Sequence, residues 1–231
     1  MMKIFNMMKM LSVLRHWTTG YGDDMGQEVV VAYDGTPQSR AAVEWAAQEC
    51  RLRRTGMTLC QVWCGPCPGR QEGVAAEERR LAGRCLSEGA LLAERLGPGV
   101  AVHPALIRGD PRETLAAMGR DAAMLVVGQR APGRLVRLLL GSVGAYLAAC
   151  AACPVVVVRG PHPPRGRPVV AGVDGSPAAC AALAFAAQAA RRRGVPLVAV
   201  HALGLDGADP GRAERALGEA VRPWRGRGGP P

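Results

Sequence analysis

Aromatic side chains make up only 4% of the 231 residues, and lysine is absent beyond Lys9. With so few rings, Ala, Val and Leu must fill any core, which suits helices lying close on a parallel sheet. The same scarcity leaves little to stack nucleobases and argues against a nucleic-acid-binding function. No phosphate-loop lysine and no GxSxG nucleophile elbow occur, and the four histidines (His16, His103, His162 and His201) are scattered. His103 and His201 lie in strand-like runs, so they read as packing or edge residues and no catalytic residue is assigned. The start of the chain has only the short apolar run Met10–Leu14, too little for a secretion signal. The uncharged stretch Leu138–Val158 is long enough to span a bilayer. However, Gly141, Ser142, Gly144 and Pro154 divide it into a helix and a strand, so no membrane association is expected.

Hydrophobic residues reach 48%, ample for a packed core. Eight cysteines without a secretion signal indicate a reducing compartment, and the expected location is the cytoplasm. The net charge is +10, densest near the C-terminus, where Arg222, Arg225 and Arg227 sit among Gly and Pro and read as a solvated tail. Both lysines fall within the first 24 residues, while the rest of the chain uses arginine alone. This break marks residues 1–24 as a disordered or wrongly assigned leader, with Met25 a natural start.

Strand and helix signals alternate from there. Val29–Tyr33 is a β-branched run, and Thr36-Pro37 supplies an N-cap and a first-turn proline for a helix to about Arg54. Strands are expected at Met57–Trp63, Val100–Ile107, Met124–Val127 and Val155–Val158. The helices between them are Ala75–Leu96, Arg112–Arg120 and one opening at Gly141-Ser142. Such alternation specifies an α/β domain with a doubly wound parallel sheet.

The pattern then repeats. A shift of 140 residues lays Val30–Pro37 on Val170–Pro177 without a gap, and Ala46-Ala47-Gln48 on Ala186-Ala187-Gln188. The second copy adds a strand at Leu197–Ala202 and a helix from Pro210 to Val221, and counterparts of Val100–Val158 are missing from it. The expected domains are 25–159, a linker at 160–168, and a truncated second copy over 169–231.

The segment Leu125–Gly128, Gln129–Arg134 and Leu140–Ser142 carries the chemistry. A strand ends in glycine, a flexible basic loop follows, and Gly-Ser opens a helix. Glycine permits close backbone approach, and free amides at a helix N-terminus hold anions. Arg130, Arg134 and Arg137 would offset phosphate charge.

In this segment the chain resembles the universal stress protein family. ATP-binding members carry a glycine, two residues, a second glycine, nine residues and then Gly-Ser or Gly-Thr. Gly128 and Gly141-Ser142 match that pattern. Asp34-Gly35-Thr36, Gly109-Asp110-Pro111 and Cys153-Pro154-Val155 match further family features. The resemblance implies a five-stranded parallel sheet of order 3-2-1-4-5 with helices on both faces, followed by the partial repeat. It also implies an adenine-nucleotide site, with ATP and magnesium as cofactor. Asp34 would face the nucleoside with Ala32 and Tyr33 beside it, and Val62 would touch the adenine. Gly128, Arg130, Ala131, Gly141, Ser142 and Val143 would line the phosphates and ribose. Family members commonly dimerise through the fifth strand, here Val155–Val158. The implied function is a regulatory module of the stress response with at most slow ATP hydrolysis. Two departures stand out: Ala131 replaces the second glycine, and Gly144 stands where many members have Ser or Thr. The alternative is therefore an interaction module of the same fold that has lost its nucleotide.

A minor alternative is thiol–disulfide exchange, because Trp63-Cys64-Gly65-Pro66-Cys67 reproduces the thioredoxin pentapeptide. The following β-α units do not suit a thioredoxin fold, and Pro68 and Gly69 delay the helix that would activate Cys64. A zinc site joining Cys64/Cys67 to Cys150/Cys153 fails because the two pairs flank opposite edges of the expected sheet. No metal site is expected.

Overall fold

The structure, a computed structural model, describes residues 27–65, 72–129, 141–160, 166–202 and 210–222. Gly22–His162 form one compact unit, and the chain from Pro163 belongs to a second.

The first unit is built from β1 (Val29–Ala32), α1 (Pro37–Arg53), β2 (Met57–Trp63), α2 (Glu72–Leu96), β3 (Val102–Arg108), α3 (Pro111–Met118), β4 (Met124–Gly128), α4 (Gly141–Cys150) and β5 (Val155–Val158). The five strands form one parallel sheet of order β3-β2-β1-β4-β5, the order the family resemblance implies. Strand β1 is central and buried on both faces (Val29 0%, Val30 5% and Val31 0% exposed), which explains its unbroken valine run. On one face Val30, Cys60, Leu115, Leu125, Val127 and Leu147 form a cluster covered by α3 and α4. On the other face α1 packs on β1 and β4, and α2 packs on β2 and β3. Each fully buried aliphatic side chain in these layers stabilises the fold by about 1.5–3 kcal/mol.

Local chemistry sets the helix ends. Thr36 is the N-cap of α1 with Pro37 in its first turn, and Asp110 caps α3 by accepting from Arg112 N–H (2.8 Å) and Glu113 N–H (3.3 Å). Several boundaries differ from the sequence reading. Arg54 is the left-handed C-cap of α1 (φ 56°) rather than its last residue. Helix α2 begins at Glu72, three residues early. Strand β3 begins at Val102, because Val100 N–H donates to the Gly97 carbonyl (2.9 Å) and closes a turn with Gly99 at φ +83°. Glu49 is 1% exposed, and its carboxylate is answered one turn on by Arg53 Nε at 2.6 Å.

The second unit contains β6 (Val169–Gly172), α5 (Pro177–Arg193), β7 (Leu197–Val200) and α6 (Pro210–Val221). Its two strands are parallel and pair Val169 with Leu197 through Gly172 with Val200. That register is the β1–β2 register displaced by the repeat length, since Val29 pairs with Met57 in the first unit. Ser176 caps α5, and Gly194 ends it in the left-handed conformation (φ 62°). Ala171, Val173, Ala179, Leu183 and Ala186 form a small core, against which Leu217, Ala220 and Val221 of α6 pack. The second strand ends at Val200, two residues short of the sequence reading. Among the described residues no helix is long and apolar enough to cross a membrane.

Candidate functional site

The carboxyl ends of β1 and β4 are neighbours, and the winding of the sheet reverses between them, with β2 and β3 to one side and β5 to the other. In open α/β sheets, ligands bind at such a switch point. Three structural elements converge on it: the turn after β1, the end of β4 and the start of α4.

The turn after β1 is held by short polar contacts. The exposed Asp34 carboxylate accepts from Thr36 N–H (3.1 Å) and Thr36 Oγ1 (2.6 Å). Thr36 Oγ1 in turn accepts from Ser39 N–H (3.3 Å), and the buried Ser39 hydroxyl donates to the Thr36 carbonyl (3.0 Å). Gly35 sits at φ +77°, and a β-carbon there would lie 2.7 Å from Cys85 Sγ. These contacts fix the carboxylate beyond the end of β1 before any ligand arrives.

The glycine at the end of β4 has a different origin from the one its motif suggests. A β-carbon on Gly128 would run into the Gln38 carbonyl and lie 2.8 Å from Ser39 N. The first turn of α1 therefore crosses directly over Gly128, so helix packing alone demands a glycine there. Gly141 opens α4 at φ +68°, followed by the exposed Ser142 and the half-buried Val143. The first amides of a helix have no intrahelical acceptors and attract anions. Gly144 is buried in α4, so a hydroxyl at that position would enter the helix–sheet contact.

Ala32, Val62 and Val143 all pack against the cluster under α3 and α4, so these three sequence-nominated residues share one side of the sheet. Ile107 belongs with them. It pairs in register with Val62, and the signal that could have found it is its place just before the Gly109-Asp110 turn. The Tyr33 side chain goes to the opposite face, because strand side chains alternate. Its ring lies under α2, where a β-carbon on Gly89 would approach it to 2.5 Å. There Tyr33 lines a recess of about 270 Å³ with Arg40, Glu88, Leu91, Leu92 and Arg95. Burial raises the Tyr33 phenol above its ordinary pKa, reinforced by Cys85 and opposed by the nearby Arg40. Tyr33 thus offers the strand-end crevice only its main chain. Arg130 and Ala131 lie outside the described residues.

Charged side chains stacked on rings also border the strand ends. Arg108 lies over Trp63 (5.9 Å to the ring centroid), and Arg112, bonded to Asp110, lies over Tyr146 (5.7 Å). At the other end of the sheet His103 pairs with Glu28 at 2.5 Å, which accounts for the histidine in β3.

The thiols divide by burial. Burial, with Glu49 adding to it, pushes Cys50 up to about 12, and burial pushes Cys60 and Cys153 to about 11, so all three are protonated near neutrality. Cys64 is exposed past the end of β2, and the next helix starts only at Glu72. Cys67 lies outside the described residues. Cys64 follows the carboxyl end of β2, whereas Cys153 precedes the amino end of β5, with β1 and β4 lying between those two strands in the sheet. Among the described residues no group of His, Cys, Asp or Glu is arranged to hold a metal ion.

Residues 25–159 and 166–222 match the model of the universal stress protein family. A universal stress protein of Mycobacterium tuberculosis is 34% identical over 223 residues, covering 86% of this chain and 74% of that protein. Another from the same organism is 35% identical over 198 residues, covering 75% of this chain and 62% of that protein. The crystal structure of a universal stress protein from Archaeoglobus fulgidus superposes with a TM-score of 0.65 at 19% identity, over 86% of this chain and 74% of that one, and shares its fold. With the family model spanning both copies and relatives this similar over most of their length, the chain belongs to the universal stress protein family.

Proposed function

We propose that the first unit is a regulatory module of the stress response that binds an adenine nucleotide, ATP with magnesium, in the crevice between the ends of β1 and β4. The observation that carries this reading is the convergence there of a preset Asp34 carboxylate and the glycine-initiated amino end of α4. Ala32, Val62, Ile107 and Val143 provide apolar surface on the same side of the sheet for a purine. Asp34 would accept from the ribose hydroxyls, while the first amides of α4 and Ser142 would hold phosphate oxygens. Arg130 and Ala131 follow β4 in the sequence and would approach the phosphates. Magnesium would neutralise phosphate charge. The module works by binding rather than by turnover, within the cytoplasm, and pairs with a second chain along the half-buried edge strand Val155–Val158.

Equilibrium binding of ATP to the full chain tests this reading. Micromolar affinity that Asp34→Ala reduces at least tenfold is the expected result. No binding by the native chain, with binding gained in Ala131→Gly, would identify an interaction module whose pocket has closed.

A further inference from the structure

The charges of helix α2 are arranged differently in its two halves. Near its start Arg80 donates to the Glu77 carboxylate through Nε (2.7 Å) and Nη2 (2.5 Å), so the pair is satisfied within one turn. Toward its end Glu88, Leu91, Leu92 and Arg95 recur at helical spacing and share one face. That face lines the recess of about 270 Å³ that Tyr33 of the first strand segment and Arg40 of α1 complete. Here the charges are not answered within the chain. Among the described residues no ion pair includes Arg40, Glu88 or Arg95. The recess is also built into the packing of the sheet on α2. The Tyr33 ring, 4% exposed, reaches beneath the helix only because Gly89 has no side chain, and Leu91 at 60% exposure offers apolar surface at the mouth.

We propose that this recess binds a small monocarboxylate with an apolar body, such as a short-chain fatty acid. Arg40 and Arg95 against Glu88 leave the lining with a net charge of +1, which a single anion neutralises. A guanidinium takes a carboxylate through two parallel N–H donors, a geometry that favours a carboxylate over other small anions. Leu91, Leu92 and the Tyr33 ring let the rest of the ligand leave water. At roughly 30 Å³ for each water-sized group the volume holds about nine of them, enough for hexanoate and too little for a nucleotide. Strand alternation sets this recess on the face of the sheet opposite Ala32, Val62 and Val143. The site is therefore separate from the nucleotide crevice and stands whether or not that crevice is filled.

Titration of the full chain with sodium hexanoate, followed through amide chemical shifts, tests the site. The expected result is saturable shifts at residues 88–95 with a dissociation constant below about 1 mM. Acetate, which lacks the apolar body, and hexylamine, which carries the opposite charge, should each bind about tenfold more weakly or worse. Arg95→Gln should weaken hexanoate about fivefold or more, whereas Glu88→Gln, by removing the one anion, should tighten it about twofold or more. Both side chains are exposed, and the shift map of the native chain reads the same site if a variant fails to fold. No saturable shift up to about 20 mM, equal binding of acetate or hexylamine, or an affinity that Arg95→Gln leaves unchanged overturns the proposal. So do shifts confined to residues 128 and 141–143, which would place the carboxylate at the amino end of α4 and leave the nucleotide reading to be judged by ATP binding alone.

Discussion

The strand–helix–strand of the first unit and that of the second are laid down by matching residues 140 positions apart, and locally they fold alike. Both start at an aspartate whose carboxylate accepts from the N–H two residues on (Asp34 from Thr36, 3.1 Å; Asp174 from Ser176, 2.9 Å). Each has a hydroxyl N-cap, a proline-led helix and the same parallel register. What surrounds them differs. Val30 is 5% exposed and its counterpart Val170 is 61% exposed; Cys60 is 1% exposed and its counterpart Val200 is 46%. In the first unit β4, α3 and α4 cover these positions, and the second unit has no equivalent of that layer among its described residues. Local signals are therefore enough to specify caps, register and one packed face. The burial that makes a valine structurally necessary comes only from the far layer.

Substitutions at equivalent positions test this contrast. Val30→Asp buries an unpaired carboxylate and should destabilise the first unit by about 3 kcal/mol or more. Val170→Asp should change stability by no more than about 0.5 kcal/mol. Urea unfolding of the full chain measures both. Equal losses would mean that the Val170 face is covered. Next in size, Leu183→Ala removes the most buried large side chain of the second core (1% exposed). It should cost that unit about 2–4 kcal/mol, read from amide exchange along α5, without changing ATP affinity. Thr36→Ala and Ser176→Ala should each cost about 1 kcal/mol, and a similar loss in both would confirm that capping is indifferent to the missing layer. The smallest effect is at Asp174. The Ser176 hydroxyl and amide hold its carboxyl below the ordinary value, so its contribution is present above that value and fades as pH falls through the lowered one. Asp174→Asn should flatten the second unit's stability profile on that acid side, as followed by circular dichroism between pH 5 and 2.

Much of the fold was legible because its signals are local. Thr36-Pro37, Asp110-Pro111 and the Val29–Ala32 run state their roles within a few residues. Boundaries slipped where a tertiary partner or turn decides them, as at Val100, whose amide is taken by Gly97. The internal repeat predicted the β6–β7 pairing, though nothing local says which valines of that copy stay bare. At the candidate site, Asp34, Gly128 and Gly141-Ser142 were read from motif order, and the topology places them at one end of the sheet. Tyr33 was assigned there by its neighbours in sequence, but strand alternation sends its ring beneath α2, into space left by Gly89. That gap lies 56 residues away, beyond the reach of any local pattern. Ile107 was overlooked because its one signal, a place just before the Gly109-Asp110 turn, is weak; its register opposite Val62 brings it in.

The crossing of α1 over Gly128 bears on how such proteins diverge. The Gln38 carbonyl excludes every side chain from position 128 whether or not a ligand ever occupies the crevice. A lineage that abandoned its nucleotide would still discard mutants at this glycine, since they would misfold before any loss of binding was felt. The first letter of the phosphate-loop signature can therefore outlive the activity it advertises, as a fossil kept by packing. Positions free of such crowding, such as the exposed Ser142, would drift first and date the loss.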